Sequence, residues 1–337
     1  DSTVLATALP PMAADLHEDP VALKLALTSY LLSLAVFIPL SGWVADRLGA
    51  RRVFRAAIVV FTIGSILCGL STSLATIVAA RVVQGMGGSM MVPVGRLVLL
   101  RTAPRHELVR ALAWLTIPAL IGPLIGPPLG GFIATYLHWR YIFWINVPIG
   151  LLGVVLATRF IPDLKEEETR PLDIKGAVLS GVGLSCLVFG ATIVGRGFVP
   201  PPLVALIMVI GAASLVAYVR HARRVKHPIL DLRLLRTPTF RAAIIGGFLF
   251  RIGATPFLLP LLLQIGFRLN AYQSGLLVFV STAGAMAMKA SAQPILKRLG
   301  FRRVLTVNAL ISSAFLVMNA FFTEATPHLA MMGLFLI

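Results

Sequence analysis

Gly42-Trp43-Val44-Ala45-Asp46-Arg47-Leu48-Gly49-Ala50-Arg51-Arg52 is a short basic segment, broken by glycine, that joins two apolar runs. The runs on either side, at about 24–45 and 53–73, are each long enough to cross a bilayer as a helix, which takes roughly 20 residues. A near copy follows 251 residues later, Leu48-Gly49-Ala50-Arg51-Arg52-Val53 being matched by Leu299-Gly300-Phe301-Arg302-Arg303-Val304. It too lies between two apolar runs, so the chain carries an internal repeat, each copy joining two membrane spans, as duplicated halves would.

Working outward, apolar runs recur along the whole chain. A partial first span ends near Pro10, and further spans are expected at about 24–45, 53–73, 74–99, 108–135, 141–161, 175–195, 202–219, 240–265, 272–292 and 304–323, with a twelfth starting near 328. Of 337 residues, 58% are hydrophobic and 13% charged, about half the charge of a soluble domain. A lipid-exposed backbone must satisfy its own hydrogen bonds, and barrel-type alternation is absent, so the fold class is all-α and polytopic. The net charge of +17 would suggest a nucleic-acid ligand in a soluble protein, but its placement points elsewhere. The loops after the second, fourth, sixth, eighth and tenth spans hold 22 Lys or Arg, whereas the opposite loops hold only Lys24, Arg140, Arg196 and Arg268. This asymmetry places the basic loops in the cytoplasm of a plasma membrane, that of a bacterial inner membrane, and excludes nucleic acid as the partner. Two longer basic-side segments, 162–173 and 220–241, read as solvated connectors, the second able to lie against anionic head groups. Residues 1–161 then form an N-terminal bundle, 162–219 a connector with two extra spans, 220–239 a basic connector and 240–337 a partial C-terminal bundle. The chain reads as truncated at both ends.

Ionisable residues inside spans cost about 3 kcal/mol or more unless they face a cavity or a partner. Asp1 is the one acid placed within a span, nine residues before Pro10, or about 13 Å at helical rise. Arg81 is the natural cation to oppose it. It opens Arg81-Val82-Val83-Gln84-Gly85-Met86-Gly87-Gly88, in which Arg81, Gln84, Gly85 and Gly88 fall on one helical stripe, the glycines admitting a close neighbour. Arg251 stands mid-span as a cavity candidate; Arg96 and Lys289 are nearer the basic ends of their spans, where snorkelling competes with function. The fifth span carries Gly122, Gly126 and Gly130 at four-residue spacing, followed by Gly131, with Pro123, Pro127 and Pro128 expected to bend it. Cys68 and Cys186 sit apart in apolar spans and read as inert thiols, and the six histidines, all at span ends or loops, receive no ligand role. No metal site is expected.

These stretches resemble a known family. The segment with Gly42, Asp46, Arg47, Gly49, Arg51 and Arg52 resembles the signature loop of the major facilitator superfamily. Asp1-Ser2-Thr3-Val4-Leu5-Ala6-Thr7-Ala8-Leu9-Pro10, the Arg81 to Gly88 stretch and Gly122 to Gly131 are similar to the first-, fourth- and fifth-helix motifs of its fourteen-span drug:proton antiporters. Met91 to Leu97, Arg251-Ile252-Gly253 with Pro256-Phe257, and Ala287-Met288-Lys289 extend the likeness to multidrug exporters of the MdtD and HsrA type. The offset of 251 residues, at about 31 residues per span and loop, corresponds to eight spans and not six, which agrees with two extra central helices. The resemblance implies two pseudo-repeated bundles enclosing a substrate cavity. It assigns Asp46 to a cytoplasmic gate closed against a thirteenth helix, and Gly122, Gly126, Pro127, Gly130 and Gly131 to the antiporter motif; proton coupling by Asp1 against Arg81 is read from the lone membrane carboxylate, the alternative being an Arg81 that only bridges to loop carbonyls. Lys297 replaces Asp46 in the second copy of the loop.

The expected activity is proton-driven efflux of small, amphipathic or drug-like organic molecules by alternating access, by a monomer, with the proton gradient as energy source and no cofactor. An exporter of one specific metabolite, and an inactive fragment, are the alternatives within the same class. Paired carboxylates, a His/Glu metal set and a Ser/His/Asp group are absent from the spans, which argues against an enzyme; no filter-like loop or charged ring supports a channel.

Overall fold

The computed structural model describes residues 2–104, 106–165, 171–194, 199–253 and 298–319, together with 279, 280, 284 and 295. Every regular element in them is helical. In chain order these are α1 (Ser2–Leu16), α2 (Pro20–Phe37), continued through a 3-10 turn at Ile38–Leu40 into α3 (Ser41–Leu48), α4 (Ala50–Gly69), α5 (Leu74–Thr102) and α6 (Leu108–Tyr136). They are followed by α7 (Tyr141–Trp144), α8 (Asn146–Phe160), α9 (Ile174–Ile193), α10 (Pro201–Arg224), a 3-10 turn at Leu232–Arg236, α11 (Pro238–Gly253) and α12 (Phe301–Asn319). The span expected at 272–292 and the start of a twelfth lie outside the described residues.

Six described stretches, Ala22–Leu48, Ala50–Gly69, Leu74–Thr102, Tyr141–Phe160, Ile174–Ile193 and Pro201–Arg224, are long and apolar enough to cross a membrane. Large apolar side chains stand exposed along their outer faces, as Leu151, Leu152 and Val155 do on α8 and Leu206 and Val209 on α10. In water such surfaces would be a liability; in acyl chains they are the solvent-facing side. The chain is a multi-pass membrane protein.

One compact unit comprises Leu9–Leu115 and His138–Leu249. Its packing is set by glycines that remove side chains where helices meet. A Cβ on Gly64 of α4 would stand 2.6 Å from the Cα and N of Gln84 in α5, and one on Gly85 of α5 would stand 2.5 Å from Ser33 Cβ in α2. Gly87 faces the Phe61 backbone, and Gly150 of α8 faces Thr62. With little hydrophobic drive between helices in lipid, close backbone approach supplies much of the association. The extra pair, α9 and α10, interlocks through Gly183 against Leu215 and Gly211 against Leu187, and Gly181 lets α9 reach Val36 of α2. The second unit comprises Asp1–Ala8, Thr116–Leu137 and Phe250–Ile337; its described part holds most of α6, where the Phe132 and Tyr136 rings meet at 5.2 Å, and α12.

The sequence repeat is reproduced in the backbone. Gly49 and Gly300 both take positive φ, +92° and +77°, a region that favours glycine. Each carbonyl then accepts from a residue in the first turn of the next helix, Val53 N–H at 3.1 Å and Val304 N–H at 3.2 Å.

Two expectations need correction. The first helix does not end near Pro10; it runs through Pro10 and Pro11 to Leu16. Likewise α5 contains Pro93, and α6 remains one helix through Pro118, Pro123, Pro127 and Pro128. A proline loses one intrahelical bond, but membrane helices restore it through neighbours, so it does not mark an end as it does in water. The segment 220–241 is not simply a solvated connector either: α10 occupies it to Arg224, and Tyr218 Oη donates to Leu230 O at 2.9 Å and accepts from Leu230 N at 3.0 Å.

Candidate functional site

Helix α5 begins at a reciprocal capping box. Ser73 Oγ accepts from Thr76 N at 3.3 Å and Thr76 Oγ1 accepts from Ser73 N at 3.1 Å, which satisfies two of the helix's orphan donors. Two turns further on, Arg81 and Gln84 are fully buried, both 0% exposed. The stripe read from the sequence is therefore the protein-facing side of α5.

Arg81 is held from several directions. Its Nε donates to Ala26 O of α2 at 3.1 Å, its Nη1 to Gln84 Oε1 at 2.6 Å, and its guanidinium lies 4.1 Å from the centre of the Tyr30 ring. Gln84 Nε2 donates to Ser65 Oγ of α4 at 2.6 Å, and Asn146 Nδ2, at the start of α8, donates to the same oxygen at 2.9 Å. Cys68 Sγ donates weakly to Gln84 Oε1 at 3.8 Å. A carbonyl, an amide oxygen and an aromatic face thus surround a cation that water cannot reach, each charge-assisted bond being about twice as strong as a neutral one. The glycines make this possible: Gly85 admits α2, Gly64 admits α4, and Gly88 passes within 3.0 Å, measured from a built Cβ, of Tyr30 Oη. Chemically, the site fixes one guanidinium inside a bundle through contacts spread over four helices, so that its position depends on how those helices pack.

Tyr30, Ser65 and Asn146 were not expected. Serine, tyrosine and asparagine in apolar spans are common, and the contacts that join them to the site reach across separate helices, beyond any periodicity. The other candidates separate from this cluster. Arg96 is exposed on α5, fifteen residues from Arg81 and about 22 Å along the helix. Arg251 is in α11 but its side chain, like Asp1 and Lys289, lies outside the described residues. In α6, Gly126, Gly130 and Gly131 are buried while Gly122 is exposed, and a Cβ added at Gly122 or Gly131 would meet nothing within 4 Å; the Pro127 side chain is outside the described residues.

At the basic-loop end, the signature segment is fastened to the end of α8. Arg51 Nε donates to Ile161 O at 2.5 Å, Ala50 N donates to Leu164 O at 2.8 Å, and Arg52 lies 3.8 Å from Asp163. A Cβ on Gly49 would stand 2.6 Å from Asp163 Oδ1. Arg47 stacks on Trp43 at 5.3 Å; Gly42 has open space above it. Below lies a core of Ala45, Ala50, Val53 and Val94 with Phe54, Met90 and Leu164. Asp46 accepts from Arg101 Nη2 at 3.0 Å, a partner from the last turn of α5 that the sequence presented only as one more loop cation.

At the opposite end, Asp15 ties three loops together. It accepts from Trp139 Nε1 at 3.0 Å and pairs with Arg140 at 2.9 Å, while Arg140 Nη2 donates to Ser71 O at 3.1 Å.

The whole chain, residues 1–337, matches the family described as Major Facilitator Superfamily. The chain belongs to the Major Facilitator Superfamily. It is similar to "Putative multidrug resistance protein MdtD" of Pectobacterium carotovorum subsp. carotovorum, 42% identical over 313 residues that cover 92% of this chain and 67% of the relative. It is also similar to the protein of the same name from Salmonella heidelberg, 41% identical over 312 residues, 92% of this chain and 66% of that one. This major facilitator chain therefore spans about two thirds of the length of the curated relatives it matches, and the likeness read from its motifs is borne out. Among solved structures, a point mutant of the nucleoside transporter NupG aligns over 100% of this chain and 74% of its own with a TM-score of 0.57 at 14% identity. The human organic anion transporter MFSD10 (TETRAN) aligns over 98% and 71% with a TM-score of 0.57 at 18% identity. At such identities these two establish the major facilitator fold alone.

Proposed function

We propose that the protein carrying this chain exports small organic molecules, amphipathic or drug-like in character, in exchange for protons. The observation that carries the reading is the fully buried Arg81, oriented by Ala26, Gln84 and Tyr30 inside a transporter-family bundle. A buried cation is retained where a site needs charge at a fixed point. Asp1, the acid of the first-helix motif, is the carboxyl proposed to exchange protons, with Arg81 as the cation that favours its ionised form; protonation and substrate binding then favour opposite exposures, so that proton and substrate are carried in turn. The names of the MdtD relatives support a drug-like substrate class.

In this reading the protein is multi-pass in a bacterial inner membrane, with the basic loops in the cytoplasm. The signature loop, stiffened by Arg51 on Ile161 O and by the Asp46 to Arg101 pair, is the inner gate. Reconstituted full-length protein in vesicles with an imposed pH gradient should move substrate from a panel of lipophilic cations and neutral drugs. Asp1→Asn should abolish gradient-driven transport while the protein still inserts, and full retained transport in that variant would remove the carboxyl from the mechanism.

A further inference from the structure

Between Arg220 and Arg241 the chain holds Arg220, Arg223, Arg224, Lys226, Arg233, Arg236 and Arg241 against one carboxylate, Asp231. Within this segment Leu230, Leu234 and Leu235 are 41%, 51% and 37% exposed, and Arg233 and Arg236 are exposed beside them. Apolar side chains in a connector outside the spans have no acyl chains around them unless the connector lies on the bilayer.

The backbone is held where that can happen. Tyr218, in the last turns of α10, grips the Leu230 N–H and carbonyl. Asp173, which caps α9 through Gly176 N at 2.8 Å, accepts from Ile229 N at 3.3 Å and pairs with His221 at 2.7 Å. Asp231 caps the following 3-10 turn by accepting from Arg233 N at 2.9 Å. The segment is thus pinned to the ends of α9 and α10 on its near side and leads into α11 at Pro238, so it runs level with the ends of three membrane helices. Exposed leucines interspersed with arginines in a short interfacial turn are the composition of a headgroup-binding element, the apolar side chains entering the acyl boundary and the cations meeting phosphates.

We propose that Leu230–Arg236 is an anionic-phospholipid binding element that lies in the headgroup layer and clamps the α9 and α10 pair to the membrane surface. Charge complementarity singles out the lipid surface as occupant: Arg233 and Arg236 are exposed within the element, in a segment that holds seven cations against one carboxylate, and anionic headgroups are the most abundant anionic surface available to a membrane protein at that depth. The proposal stands independently of the transport reading, since it concerns binding and not flux.

Hydrogen exchange of the full-length protein in nanodiscs tests it. When phosphatidylglycerol is added to phosphatidylcholine, the amides of residues 230–236 should exchange more slowly, by about fivefold for each of Arg233 and Arg236, or roughly 25-fold together. The protection should fade at high salt and fall to the phosphatidylcholine level in Arg233→Gln/Arg236→Gln. Arg233→Lys/Arg236→Lys, which keeps the charge, should retain it. Equal exchange in the two lipids would overturn the proposal, as would protection that survives the glutamine pair. Protection gained from inorganic phosphate in phosphatidylcholine nanodiscs would overturn it as well, by revealing a soluble-anion site.

Discussion

Gly64→Ala is the sharpest perturbation of the Arg81 site, because it adds one methyl between α4 and α5 directly against the Gln84 backbone. The new Cβ would stand 2.6 Å from the Cα and N of Gln84, backbone atoms that cannot rotate away. Ordinary contact needs roughly 3.5 Å or more between carbon atoms, so the two helices must part by about 0.9 Å. Overpacking of this kind costs about 1–3 kcal/mol. It also moves Ser65, the next residue, away from Gln84, whose 2.6 Å bond would stretch past hydrogen-bond range and free the amide that orients Arg81. Thermal unfolding in detergent should therefore shift to lower temperature, and transport should fall further than stability alone accounts for. Gly153→Ala is the control: its Cβ would meet only the Ile58 side chain at 3.5 Å, and it should behave as the unmodified protein. Equal melting temperatures for Gly64→Ala and Gly153→Ala would refute the close approach of α4 and α5 on which the site depends.

The same contacts give three further expected outcomes. Gln84→Leu removes a bond to a charged group, about 1.5–3 kcal/mol, and should reduce gradient-driven transport by about one to two orders of magnitude with the protein still inserted, as measured in reconstituted vesicles. Gly49→Ala meets two penalties, a sparsely populated positive-φ backbone costing about 1–3 kcal/mol and the collision with Asp163; adding Asp163→Ala should recover part but not all of the lost thermal stability. The Asp173 carboxyl lies below its ordinary 3.8: burial raises it, but the bonds from His221, Gly176 N and Ile229 N and the His221 charge prevail. A depressed carboxyl contributes stability above its unfolded value, and this is lost as pH falls below about 3.8 through the lowered native value. Acid exposure should therefore release residues 229–230 to hydrogen exchange, and in Asp173→Asn that pH dependence should be missing.

The membrane class, the helical fold and the repeat were legible because they rest on local quantities, namely apolar length, loop charge and glycine at a turn. Gly49 and Gly300 could be matched by eye, and both adopt the backbone their shared motif requires. Arg81, Gln84, Gly85 and Gly88 were legible for a related reason, since helical spacing alone puts them on one face. The rest of the site depends on which helices meet. Ser65 and Asn146 converge on one hydrogen bond across 81 residues of chain, and nothing local distinguishes them from other polar residues in apolar spans. Arg101 was hidden by abundance, one arginine among many in a basic loop. Pro10 misled because a rule learned in water was applied in lipid.

Transport in vesicles of the full-length protein, measured with and without an imposed proton gradient, tests the central claim most directly. The account predicts uphill substrate movement that stops when an ionophore collapses the gradient, and that is lost in Arg81→Met even with the gradient intact. Undiminished uphill movement after collapse, or full activity in Arg81→Met, would contradict it.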